Sequence, residues 1–150
     1  MANGAWGDYL TLLGRVTRAL EELTGVEQEK IRAVNERDLP TVEQCMKKEQ
    51  VCSLNLRGLD QKREKLMDQL GMRGVPLREI MSRCPPGAEQ ETKEAAEALR
   101  RQYAIFQTTS EASRNALEIH LHIIEELHKR AGGGELPHQD APPMKADFRA

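Results

Sequence analysis

The chain has 150 residues, of which 39% are hydrophobic, 31% charged and only 3% aromatic, with a mean hydropathy of −0.64. This composition suits helical rods built on Leu, Ala, Glu, Lys and Arg around one thin core, and argues against a compact enzyme with a deep pocket. A net charge of −2 with both signs interspersed leaves no basic stripe for nucleic acid, and no apolar run approaches the about 18 residues of a membrane span.

Near the start, Gly7, Asp8 and Gly14 break up the apolar residues around Trp6 and Leu13, so no signal sequence is read there and a cytoplasmic location is expected. Cys45, Cys52 and Cys84 cannot all pair within one chain, and their spacing fits no zinc pattern. They read as free thiols. Cys45 and Cys52 lie seven residues apart and share a helix face, where a free Cys acts as a small hydrophobe.

The first helix is predicted from near Tyr9 to about Glu36, with Leu12 or Leu13, Val16, Leu20, Leu23, Ile31 and Val34 recurring at three- and four-residue steps. Gly14 and Gly25 lower its propensity and mark possible kinks. Trp6 is expected to pack over a helix end. The pattern breaks at Asn35-Glu36-Arg37-Asp38-Leu39-Pro40, where Asp38 is placed to cap a new helix and Pro40 fits its first turn. So short a connection predicts an antiparallel hairpin.

Helix two is predicted from Pro40 to Leu70, with Val42, Cys45, Met46, Cys52, Leu56, Leu59, Leu66 and Leu70 inward and Gly71 as its stop. Gly74, Pro76, Pro85 and Pro86 confine the next helix to about Pro76–Arg83, with Leu77, Ile80 and Met81 forming a small apolar face that closes one end of the bundle. A long helix follows from about Ala88 to Arg130. Its apolar members are Leu99, Tyr103, Phe106, Ala116, Leu117, Ile119, Ile123, Ile124 and Leu127, and its acid-first pairs at four-residue spacing, such as Glu97 with Arg101, support an exposed helical surface. Gln107-Thr108-Thr109-Ser110 interrupts the stripe, so looser packing is expected there. Beyond it, 132–150 is rich in Gly and Pro and reads as a flexible tail, leaving 1–131 as one helical domain.

No chemistry is legible along the way. His120 and His122 are two apart and point in different directions on a helix, while His120 and His128 are too far apart to chelate one ion, so no metal is assigned. No Ser, Cys or Thr sits in a nucleophile motif, and no Gly-rich phosphate loop follows a strand. The chain reads as a non-enzyme without a cofactor. The fold expected is all-α: an elongated antiparallel bundle of three long helices and one short helix, packed like a coiled coil. The long helix exceeds the others by about ten residues, roughly 15 Å at helical rise, so one end should project. If that end is the distal one, Ala116, Leu117, His120, Ile123, Ile124 and Leu127 offer a partner helix an apolar stripe. The alternative is that these residues face helix one.

The order of elements also carries a resemblance. A first amphipathic helix, Asn35-Glu36-Arg37-Asp38-Leu39 as connector, Lys47-Lys48-Glu49-Gln50 leading to Leu66 and Leu70-Gly71, Leu77-Arg78-Glu79-Ile80, and a long helix with Asn115-Ala116-Leu117 together resemble the FlgN-type flagellar export chaperones over about residues 9 to 130. The resemblance implies a bacterial cytoplasmic chaperone that binds no ATP, covers the aggregation-prone terminal helix of hook-associated (hook-filament junction) proteins, and brings them to the cytoplasmic domain of the export-gate membrane protein. The Gly132–Ala150 tail departs from the pattern, so a cargo role at the extreme C-terminus does not carry over to it. Two other readings remain open: a structural or scaffolding coiled coil that self-associates, and a helical regulator that sequesters a transcription factor.

Overall fold

Helical periodicity in the first third of the chain becomes α1, Gly4–Asn35, in a computed structural model that describes residues 4–132. The helix begins five residues before Tyr9, where the apolar pattern starts. Its first turn is held by tertiary contact: Trp6 Nε1 donates to Thr92 Oγ1 at 3.0 Å in a buried pair, and the Trp6 ring lies 5.6 Å from that of Tyr9. Gly14 and Gly25 leave the helix uninterrupted.

The α1 C-terminus closes with Asp38 N–H donating to Ala33 O at 2.8 Å and Arg37 N–H to Val34 O at 3.1 Å, a Schellman closure with Arg37 in the left-handed region at φ 58. Asp38 then caps α2, Leu39–Gln69, as expected. Its carboxylate accepts from Thr41 N–H at 3.3 Å and from Thr41 Oγ1 at 2.6 Å, and these bonds hold its pKa below the usual value. One turn thus ends a helix, reverses the chain and starts another.

Val42, Cys45, Cys52, Leu56 and Leu59 of α2 are buried. Met46 is a correction, being 44% exposed: it stands one residue, about 100° of helix, from Cys45, and α1 covers a single face of α2. Met67 takes the inward place between Leu66 and Leu70, which pack at the core's edge. Gly71, at φ 69, supplies the left-handed residue that closes α2. The short segment is a 3-10 helix, Leu77–Arg83, which buries Leu77 and Ile80 but leaves Met81 39% exposed. It packs against α3, Glu89–Arg130.

The result is the expected all-α architecture of three long helices and one short one, with no strand among the described residues. Contacts of Trp6 with Thr92, Thr24 with Gln102 and Asn35 with His120 fall in the same order along α1 and α3, so these two ascend together. α2 runs antiparallel to both, with Lys30 of α1 reaching Glu49. α1 packs against both other long helices, whereas α2 and α3 do not pack on one another closely. Of the expected tail, all beyond Gly132 lies outside the described residues.

Two apolar clusters result. The larger gathers α1 from Trp6 to Val26 with Cys45 to Met67 of α2, Met72, Leu77, Ile80, and α3 up to Phe106. The smaller holds Ala33, Val34 and Val42, with Ala116 and Leu117 half-buried against it. Leu99, 1% exposed, lies in the larger. Urea denaturation of Leu99→Ala is expected to show a loss of about 2 to 5 kcal/mol. Arg37→Gly should instead raise stability by about 1 kcal/mol, by relieving the left-handed strain, and an unchanged or lower midpoint would count against strain there.

Candidate partner-binding surface

α3 has 42 residues against 32 in α1. A ring nitrogen of His120 meets Asn35 Oδ1 at 3.3 Å, and Asn35 is the last residue of α1. Residues 121–130 therefore run on past the end of α1, roughly 15 Å at helical rise.

The six residues predicted for this surface divide accordingly. Ala116 and Leu117 lie half-buried against Ala33, Val34 and Val42, and His120 is tied to Asn35. Ile123, Ile124 and Leu127 are 40%, 50% and 55% exposed. Ile119 and Leu121 add to the same exposed end. Leu121 escaped the sequence reading, although it follows Leu117 by four and precedes Ile124 by three. Ile123, Ile124 and Leu127 share one face, which no other described helix covers, with Ile119 and Leu121 flanking it on either side, and such a patch is of the kind that marks an interaction site.

Below this end lies a layer of a different character. Glu27 and Lys30 of α1 are 5% and 7% exposed, and Ser113 of α3 is 2% exposed. Lys30 Nζ donates to Glu49 Oε1 of α2 at 2.8 Å. The Glu27 carboxyl is pushed up to about 7, chiefly by burial, then by a hydrogen bond with Glu49 that needs a proton between the two carboxylates. The Ser113 hydroxyl and the Lys30 ammonium act in the opposite direction. Ser113 Oγ is nonetheless close to Glu27 without closing a hydrogen bond among the described residues.

At the opposite end of the bundle a cleft of about 470 Å³ is lined by Tyr9, Leu13, Arg63, Met67, Arg73 and Leu77, among others. Two of its arginines meet nearby carboxylates. Arg63 Nη2 is 2.9 Å from Asp60 Oδ1, and Arg73 Nε is 3.8 Å from Asp68. Burial pushes the Tyr9 phenol up to about 12 against the pull of Arg63, so it stays protonated at neutral pH. The Cys45 and Cys52 thiols are likewise raised by burial, which suits packing and not nucleophilic chemistry. Among the described residues no group of His, Cys, Asp and Glu is placed to hold a metal ion, and no helix is long and apolar enough to cross a membrane.

Among the described residues this all-α bundle carries an exposed apolar helix end, the kind of surface that a binding protein presents. The family model described as FlgN protein matches residues 8–130, and the chain belongs to that family, whose members are non-enzymatic flagellar export chaperones for hook-associated proteins. No curated protein and no solved structure matches it.

Proposed function

We propose that this chain holds a hook-associated protein in the bacterial cytoplasm through the distal face of α3 and delivers it to the cytoplasmic domain of the export-gate membrane protein. The observation that carries this is the exposed group Ile123, Ile124 and Leu127 on a helix that has outrun its bundle, in a member of the FlgN family. A junction-protein segment that will later pack into a filament carries an apolar helical stripe before assembly. Laying that stripe against α3 removes both apolar faces from water, at about 25 cal/mol per Å² covered, and the contact stays reversible because only one helix face is involved.

Ala116, Leu117 and His120 take the inner part of this surface, where the partner's helix would abut the α1–α2 turn. Mixed signs around the stripe, with Glu118, Glu125 and Glu126 beside Lys129 and Arg130, favour an amphipathic protein helix over nucleic acid.

Mixing the purified chain with a hook-associated protein from the same organism should give a discrete soluble complex on size exclusion. Homo-oligomers that leave the cargo unbound would favour a self-associating scaffold instead. The double substitution Ile123→Asp with Leu127→Asp should abolish the complex while helical content by circular dichroism stays near wild type. Unfolding of the double variant would assign the stripe to the core.

A further inference from the structure

The layer formed by Glu27, Lys30, Glu49 and Ser113 has no part in the binding role just described, yet it occupies a defined place. On α1 it falls between Val26, in the larger cluster, and Ala33, in the smaller. On α3 it falls between Phe106 and Ala116, the neighbouring members of the same two clusters. The distal half of α3 is therefore joined to the rest by the small cluster around Ala33, Val34 and Val42, by the His120–Asn35 contact, and by whatever the polar layer contributes.

Every element packed there brings a polar or charged group to Glu27. Lys30 comes from α1, Glu49 from α2 and the Ser113 hydroxyl from α3. A second bridge, Lys48 to Glu29 at 3.8 Å, lies outside the layer with side chains 55% and 41% exposed, so water screens it. With a proton on Glu27, the layer holds one ammonium, one carboxylate and one neutral carboxyl that can donate to Glu49. Without it, two carboxylates share one ammonium, Glu27 in a buried place and Glu49 with its side chain 24% exposed, and the bond between them is lost.

We propose that this layer is a proton-dependent joint that sets how readily the distal half of α3 separates from α1, closed with Glu27 protonated and loosened with Glu27 charged. Opening would expose Ala33, Val34 and Val42 beside Ala116 and Leu117, lengthening the apolar face that begins at Ile123. That consequence for partner binding rests on the reading of the previous subsection, but the joint itself does not.

The sign follows from linkage. Glu27 binds its proton more tightly in the closed form, at about 7, than in an opened one near the ordinary 4.5. The stabilisation is thus fully present below about 4.5 and lost as pH rises through about 7.

Hydrogen–deuterium exchange on the free full-length chain, corrected for the intrinsic pH dependence of amide exchange, tests this without any cargo. Between about pH 5.5 and about pH 7.5, protection over residues 107–124 should fall by about tenfold or more, while residues 9–24 and 92–106 hold theirs. Glu27→Gln, which mimics the protonated carboxyl, should keep distal protection at its acid-side value throughout. Glu49→Gln removes the competing carboxylate and leaves Lys30 to neutralise Glu27, so the fall should move to lower pH. This second variant decides the matter if circular dichroism finds Glu27→Gln unfolded. A flat distal profile in the wild type, a Glu27→Gln profile that falls as the wild type does, or a Glu49→Gln midpoint that does not move down would each overturn the joint.

Discussion

The packing of α1 against both α2 and α3 is the constraint on which the rest of the structure depends. Leu13, Val16 and Leu20 are fully buried because α1 has a neighbour on each side, while α2 and α3 touch it and not one another closely. The length of α1 therefore sets the length of the supported bundle. Where α1 stops, at Asn35, the longer α3 runs on past it, and the same apolar periodicity that makes Leu99 and Phe106 core residues leaves Ile124 and Leu127 about half exposed. The surface proposed for cargo is in this sense the core stripe continued past the core.

Stability along the bundle is uneven for the same reason. One end is fastened by the Trp6–Thr92 bond, by the Trp6–Tyr9 ring contact and by the 3-10 helix against α3. The other end has three small or β-branched residues, Ala33, Val34 and Val42, and the half-buried Ala116 and Leu117. Between them on α1 and α3 stand Glu27, Lys30 and Ser113, and Glu49 of α2 reaches Lys30 from its place between Cys45 and Cys52. A chaperone that must hold and then release benefits from a firm end and a soft one, since elements that move are drawn from the less stable part of a fold.

Much of this architecture was legible in the amino-acid sequence because helices announce themselves by apolar spacing and by their caps. Asp38 and Pro40 fixed the hairpin turn, and Gly71 the end of α2. The start of α1 was not legible, since Gly4 to Asp8 has little propensity and is held by Thr92, distant in sequence. Spacing puts Met46 inward and leaves Met67 out of the stripe, yet Met46 is exposed and Met67 is buried, because spacing locates a stripe only to within about one residue, or 100° of helix. The gap at Gln107-Thr108-Thr109-Ser110 did mark the change in packing along α3, but Glu27 and Lys30 look like any solvated pair on a charged helix. Only the approach of the half-buried Glu49 and the buried Ser113 sets them apart. Likewise, the sequence indicated that one end of α3 projects without saying which. That follows from Asn35 meeting His120.

The claim that the distal face of α3 takes the cargo is tested most directly by methyl NMR of the isoleucine- and leucine-labelled chain, titrated with the terminal helical segment of a hook-associated protein. Shifts concentrated at Ile119, Leu121, Ile123, Ile124 and Leu127, with Leu13, Leu20 and Leu99 unmoved, are the predicted result. Binding that moves the methyls around the Tyr9–Arg63 cleft and leaves Ile123, Ile124 and Leu127 unchanged would contradict it.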